Sequence, residues 1–262
     1  MMRRAAHWRI GSVFLLLATQ AGCPAIDVWR APPALPEEYE RGLLVMYPGT
    51  SNLNIEMLGF YTAMKDAGLD IAIEVRPYGD FMEHVFDPFG SQPRFAERAV
   101  VEAQRLAEFI RSHPESPVTL LTFSGGAVFT LLVGAAMPDD APLDRIIMMS
   151  PGVWKDYDVL PTLEHVTQGV VSYWSPREEG PKLIAQLFGT SDAHFSDPAT
   201  SFGFTIQDPR LFQVSWTPDM QAFGNNGEHL DYFFNIDFIK QYVAPWVITQ
   251  KAPPGSLYLD LP

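Results

Sequence analysis

The chain reads as an α/β fold, a doubly wound and mainly parallel sheet flanked by helices, and three features predict it. Short runs of consecutive apolar and β-branched residues recur along the chain, as strands covered on both faces require. Stretches with apolar residues at helical spacing separate these runs, so strands and helices alternate, which implies parallel pairing through right-handed crossovers. Turns rich in glycine and proline close three of the runs, at Pro48-Gly49, Ser124-Gly125-Gly126 and Ser150-Pro151-Gly152.

Taken in order, Gly42 to Tyr47 is an unbroken apolar run and the first strand. Residues 55, 57, 58, 61 and 64 then carry the apolar face of a helix over Ile55 to Ala67, which stops at Gly68, a natural C-cap. Asp70 to Arg76 is the second strand. Phe95 to Ile110 places Ala, Val and Leu at helical spacing and ends at Ser112-His113-Pro114. Val118 to Thr122 is a strand, Gly126 to Ala136 a helix, and Leu143 to Met149 a strand. Val170 to Trp174 is strand-like, Pro181 to Phe188 helical, Leu211 to Trp216 the last strand, and Tyr232 to Ile248 a terminal helix. In such sheets ligands sit at the carboxyl ends of the strands, which is where Ser124 falls.

At 262 residues, 47% of them hydrophobic, the chain can bury one substantial core and suits a single domain. A formal charge of −13 with no Lys/Arg cluster excludes nucleic acid as an expected partner. The first residues read apart from the fold. Arg3, Arg4 and Arg9 precede the apolar run Val13 to Ala18, too short for an ordinary membrane span, and Gln20-Ala21-Gly22-Cys23 follows. This is the layout of a secretory signal. Ala-Gly-Cys also resembles a bacterial lipobox, with Gln20 where that motif has an apolar residue; an ordinary cleavage site beside an unmodified Cys23 is the alternative. The expectation is a signal peptide over 1–22, lipidation at Cys23 and export to the cell envelope. A single cysteine forms no intramolecular disulfide. Residues 23–41, with Ala31-Pro32-Pro33 and Pro36-Glu37-Glu38, read as an extended spacer, and 42–262 as the folded domain.

The chemistry centres on Thr122-Phe123-Ser124-Gly125-Gly126. A serine on a sharp turn between a buried strand and a helix has the geometry of a nucleophile elbow, usually written G-x-S-x-G. Here Thr122 takes the first glycine position. A serine hydroxyl needs a base to take its proton and an acid to orient that base. Among the histidines His84, His113, His165, His194 and His229, the last leads. It follows the final strand in the flexible run Gly224-Asn225-Asn226-Gly227-Glu228 and immediately precedes the terminal helix. His194 lies in a long segment that could border the pocket. For the acid, Glu178 leads because it follows the strand Val170 to Trp174; Glu179, Asp156, Asp158 and Asp192 remain alternatives. The oxyanion amides would come from Gly125 and from Thr50 or Ser51 in the loop after the first strand. No cluster with metal-ligand spacing such as H-E-x-x-H occurs, and no cofactor is expected.

The chain order Ser124, Glu178, His229 resembles the α/β-hydrolase superfamily over most of residues 42–250. Asp156-Tyr157-Asp158-Val159, Tyr173-Trp174-Ser175-Pro176-Arg177-Glu178 and Leu187-Phe188-Gly189-Thr190-Ser191-Asp192 look like stretches of exported bacterial serine hydrolases or esterases. In that group the second stretch is Tyr-Tyr-Ser-x-x-Asp, so Glu178 falls on the acid's position. The resemblance implies a minimal α/β-hydrolase fold with no large cap domain. Its site would be open and bordered by Phe195, Phe202 and Phe204, although such aromatics are more often core than lid. It implies a serine hydrolase of small carboxylic esters, with Ser124 as nucleophile, His229 as base, Glu178 as orienting acid, and the Gly125 and Thr50 amides as oxyanion donors. Thioester or amide hydrolysis would use the same triad. The alternative is a catalytically inactive scaffold that binds a ligand at the cell envelope, and Thr122 is the feature that favours it.

Overall fold

The computed structural model describes residues 29–79 and 88–248. The expected signal peptide, Cys23 and His84 lie outside the described residues. Six strands form one sheet: β1 (Leu43–Tyr47), β2 (Ala72–Val75), β3 (Val118–Phe123), β4 (Arg145–Met149), β5 (Val170–Trp174) and β6 (Leu211–Ser215). Their order is β2-β1-β3-β4-β5-β6 and every adjacent pair is parallel. Each strand lies within two residues of the bounds that its apolar run predicts.

The reason for the continuous apolar runs is visible in the core. β1, β3 and β4 are buried along their whole length. Alternate residues point to opposite faces, as the two-residue period of a strand demands. Leu43, Val45, Tyr47, Leu120, Ile146 and Met148 enter one core, with Phe95, Ala103, Leu106, Val128 and Leu131. Leu44, Met46, Leu121, Phe123, Ile147 and Met149 enter the other, with Phe60, Met64, Phe238, Val243 and Trp246. Helices therefore cover both faces.

Those helices are α1 (Pro36–Tyr39), α2 (Leu58–Asp66, after a 3₁₀ turn at Asn54–Met57), α3 (Pro88–Ser112), α4 (Gly126–Ala135), α5 (Leu160–Leu163), α6 (Glu179–Phe188) and α7 (Ala199–Phe202). The C-terminal segment holds α8 (Asp231–Phe234), α9 (Ile236–Phe238), a π-helical turn (Ile239–Val243) and α10 (Ala244–Ile248). Three departures from the sequence reading have local causes. The single terminal helix is broken at Asn235, whose backbone is extended (φ −93°, ψ 90°), and widened ahead of Pro245, which has no backbone N–H to donate to the α pattern. α3 begins at Pro88 rather than near Phe95 and accommodates Pro93 close to its start. Within the stretch read as an extended spacer, α1 packs on the domain. Tyr39 meets Phe109, Glu38 pairs with Lys65 at 2.7 Å, and Arg41 pairs with Asp70 at 2.7 Å.

The topology decides where a site can form. After β1 the chain builds β2 on one side, then returns through α3 to add β3 on the other. The loops that follow β1 and β3 thus leave neighbouring strand ends at the point where the winding reverses, and this leaves a crevice at the carboxyl edge of the sheet. Tyr47 and Thr122 are direct partners at that edge.

Candidate active site

Ser124 follows β3 with φ +51°, in the left-handed region that a non-glycine residue avoids, and it is half-buried. The turn is held from three sides. Ser124 donates its amide to the Met149 carbonyl at 2.9 Å, and its own carbonyl accepts from Gly152 at 2.9 Å and Ala127 at 3.2 Å. Thr122 fits where the motif has glycine because its hydroxyl donates to the Tyr47 carbonyl at 3.3 Å and because Gly126 opposite has no side chain. A β-carbon on Gly126 would lie under 3.0 Å from both Thr122 Oγ1 and the Pro48 carbonyl. The threonine is thus accommodated without opening the turn.

His229 Nε2 lies 2.9 Å from Ser124 Oγ. The loop that carries it is rich in glycine and asparagine, but it is anchored. Gly224 and Gly227 take φ +89° and +84°, and Asn225, fully buried, accepts the Gly227 amide on its side chain at 2.7 Å. Trp216 donates its indole N–H to the Asn225 carbonyl at 3.0 Å. The imidazole packs against Phe123, with ring centroids 4.8 Å apart.

Glu178 precedes α6 and has no exposed surface. Its Oε2 lies 2.7 Å from His229 Nδ1 and accepts from Ser150 Oγ at 2.7 Å and from Thr200 Oγ1 at 2.8 Å. Ser150 Oγ is also 2.7 Å from His229 Nδ1. With the imidazole proton on Nδ1, that N–H points at the carboxylate and leaves the Nε2 lone pair to accept from Ser124. The result is one hydrogen-bond network that joins Ser124, His229, Glu178, Ser150 and Thr200. Both serines touch the imidazole, at opposite nitrogens. Ser150 is fully buried, whereas Ser124 is partly open and sits on the strained turn.

The loop after β1 lies against the elbow. A β-carbon on Gly125 would sit 3.2 Å from the Thr50 amide nitrogen, closer still to Thr50 Oγ1, and 2.8 Å from Ser191 Oγ. Of the two residues that the sequence left open, Thr50 is therefore the one beside Gly125. Ser51 turns its hydroxyl to accept the Leu53 amide at 3.1 Å. Beneath the loop, Glu56 Oε2 accepts the Gly49 amide at 2.7 Å. Burial raises the Glu56 carboxyl above its ordinary range, against the opposing pull of the Ser51 hydroxyl, the Gly49 amide and nearby His229.

The remaining candidates are engaged elsewhere. Asp192 accepts the Trp154 amide and the Thr190 hydroxyl and pairs with His194 at 3.0 Å, and His194 stacks on Trp154. Glu179, Asp156 and Asp158 are exposed. His113 stacks on Phe109, and His165 faces Asp139 at 3.5 Å. Phe204 is core, while Phe195 and Phe202 are exposed. A cleft of about 410 Å³ lined by Tyr47, Arg76, Tyr78, Arg98 and Phe129 includes none of Ser124, His229 or Glu178. Among the described residues no group of three or more His, Cys, Asp or Glu is arranged to hold a metal ion. The sequence reading missed Ser150, Thr200, Ser191 and Glu56. Ser150 read only as the end of a strand before Pro-Gly, Ser191 only as part of the stretch Leu187 to Asp192, and Thr200 and Glu56 carry no motif.

No protein-family model matches the chain, and no curated protein does. Solved structures similar to it are α/β-hydrolases. Lipase B of Aspergillus fumigatus is 13% identical with a TM-score of 0.52, over 88% of this chain and 58% of the lipase, so the chain spans little more than half of that protein. The poly(3-hydroxybutyrate) depolymerase LpqC of Bordetella parapertussis is 13% identical over 87% of this chain and 83% of its own, with a TM-score of 0.46. A Trichoderma reesei cutinase is 13% identical over 79% and 75%, with a TM-score of 0.35. The six-stranded parallel sheet flanked by helices, and its likeness to lipase B, give this chain the α/β-hydrolase fold, a fold of serine hydrolases, with a Ser-His-Glu hydrogen-bond network at the carboxyl edge of its sheet.

Proposed function

We propose that the chain is a serine hydrolase that cleaves small carboxylic esters, with Ser124 as nucleophile, His229 as general base and acid, and Glu178 as the orienting carboxylate. The observation that carries this reading is the pair of contacts on one imidazole, 2.9 Å from Nε2 to Ser124 Oγ and 2.7 Å from Nδ1 to Glu178 Oε2. Ser124 Oγ attacks the ester carbonyl while its proton passes to His229 Nε2, and the imidazolium is held by Glu178. The tetrahedral oxyanion accepts from the Gly125 and Thr50 amides. Collapse breaks the ester bond, and Nε2–H protonates the departing alkoxide. Water, deprotonated by the same nitrogen, then releases the acid from the acyl-enzyme. Ester cleavage is the first activity to test because lipase B carries that class of activity in its name. The fit of Thr122 against Gly126, which leaves the turn intact, supports this reading over an inactive scaffold.

The test is labelling of residues 24–262 by a fluorophosphonate, which reacts only with an activated serine. Wild type should label, and Ser124→Ala and His229→Ala should not. Loss of either residue should lower turnover by several orders of magnitude and leave about 10³-fold over water from binding and the oxyanion donors. Full activity in Ser124→Ala would refute the assignment. The same reading carries export and lipidation at Cys23, which rest on the order of Arg3, Arg4, the apolar run and Ala21-Gly22-Cys23. Fatty-acid incorporation that persists in Cys23→Ser would remove that part alone.

A further inference from the structure

We propose that Ser150 is a positioning residue for the acid–base pair, holding Glu178 and the Nδ1 edge of His229 together so that Nε2 stays aimed at Ser124. This rests on the reading of Ser124, His229 and Glu178 as the reacting set. Ser150 follows β4, donates its amide to the Tyr173 carbonyl at 2.9 Å, and has no exposed surface. Its φ is +53° and the next residue is Pro151. Both facts disfavour a side chain at this position: the left-handed region suits glycine, and a residue before proline is pushed toward extended backbone. A purely structural turn would be made with less strain by glycine. What serine adds is a hydroxyl 2.7 Å from Glu178 Oε2 and 2.7 Å from His229 Nδ1.

A hydroxyl has one proton and two lone pairs. The proton goes to Glu178 Oε2, which leaves a lone pair facing Nδ1. The Nδ1–H then lies between two oxygens, and a swing of the ring toward either one is made at the expense of the other contact. Thr200 Oγ1 donates to the same carboxylate oxygen at 2.8 Å, so Glu178 is fixed by two hydroxyls from two other segments as well as by the imidazole. When His229 takes the Ser124 proton, the new charge appears on a ring already clamped at its far edge. Full burial keeps Ser150 itself from meeting a substrate, so it acts through its neighbours.

The experiment compares wild type, Ser150→Ala and Ser150→Gly, the last of which removes the backbone strain as well as the hydroxyl. Three quantities are measured: melting temperature, kcat and KM on p-nitrophenyl acetate, and the low-field proton resonance of His229 Nδ1–H. Both variants should lose about 10- to 100-fold in kcat, the scale of a hydrogen bond to a charged group, with KM within about twofold. Both should also shift or broaden the resonance, and Ser150→Gly should melt no lower than wild type. Retention of kcat within twofold in both variants would overturn the proposal, as would a loss in Ser150→Ala that Ser150→Gly restores, since the glycine variant lacks the hydroxyl as well. If wild type neither labels with fluorophosphonate nor turns over ester, the hydrolase reading is what fails. The resonance then decides the positioning role alone, and an unchanged signal in both variants would sink it.

Discussion

Replacing Gly126 by alanine adds one carbon where the elbow packs closely on the backbone that follows β1. That carbon would lie under 3.0 Å from the Pro48 carbonyl and from Thr122 Oγ1, and 3.2 Å from the Tyr47 carbonyl. Two of the three neighbours are backbone at the end of β1, where Tyr47 is paired in register with Thr122, so no rotamer change relieves the clash. A carbon and a carbonyl oxygen rest at about 3.3–3.6 Å, so the Pro48 carbonyl must retreat by roughly 1 Å. Overpacking of this kind costs about 1–3 kcal/mol of stability, which lowers the melting temperature by about 2–4 °C for each kcal/mol in a domain of this size. Thr50 is two residues beyond Pro48 and moves with it. In the proposed mechanism Thr50 supplies an oxyanion amide, and loss of one such donor costs about 10²–10³ in kcat, or about 2.7–4 kcal/mol of transition-state stabilisation.

Gly125→Ala makes the contrast. Its β-carbon meets chiefly the Thr50 and Ser191 hydroxyls, which can rotate away, while the Thr50 amide nitrogen at 3.2 Å need yield only a few tenths of an ångström. Gly125→Ala should therefore melt close to wild type and lose less activity than Gly126→Ala. Thermal melts, fluorophosphonate labelling rates and kcat on p-nitrophenyl acetate give the comparison. A Gly126→Ala protein with wild-type melting temperature and kcat would show that the close approach of elbow and loop does not govern the oxyanion donors.

Two further outcomes are expected. Glu178→Gln should keep the shape of the network but place an amide among three donors, with a loss in kcat of about 10⁴-fold measured at the pH optimum; activity within tenfold of wild type would move the acid elsewhere. Glu56→Gln probes the carboxyl that burial raises above its ordinary value. The folded state then binds that proton more tightly than the unfolded chain, so its contribution to stability is full below the unfolded pKa and is lost as pH rises through the folded one. Glu56→Gln should melt above wild type at pH 8, with the gap closing toward pH 4. A gap that is absent at pH 8 or constant with pH would contradict the burial argument.

The order of strands and helices was legible in the sequence because it is written locally. An interior strand covered on both faces must be apolar at every position, and β1, β3 and β4 are; a covering helix must be apolar on one side. The elbow was legible for a related reason, since a strained turn needs small residues at fixed offsets, and Ser124-Gly125-Gly126 supplies them after an unbroken apolar run. His229 could be singled out because it lies between the last strand and the last helix. Tertiary structure alone decided which acid faces it. Asp192 and Glu178 both follow strand-like or helical segments, and only the fold turns Asp192 toward Trp154 and His194 while it buries Glu178 under Ser150 and Thr200. It also decided that the loop of Asn225 and Gly227 is pinned by Trp216, that Thr50 and not Ser51 meets Gly125, and that Thr122 can stand for glycine. Each of these depends on a hydrogen bond or a close approach between residues far apart in the chain. Such pairings leave no periodicity and no motif; they exist only once the parallel order of the sheet has brought the ends of β1, β3, β4 and β5 side by side.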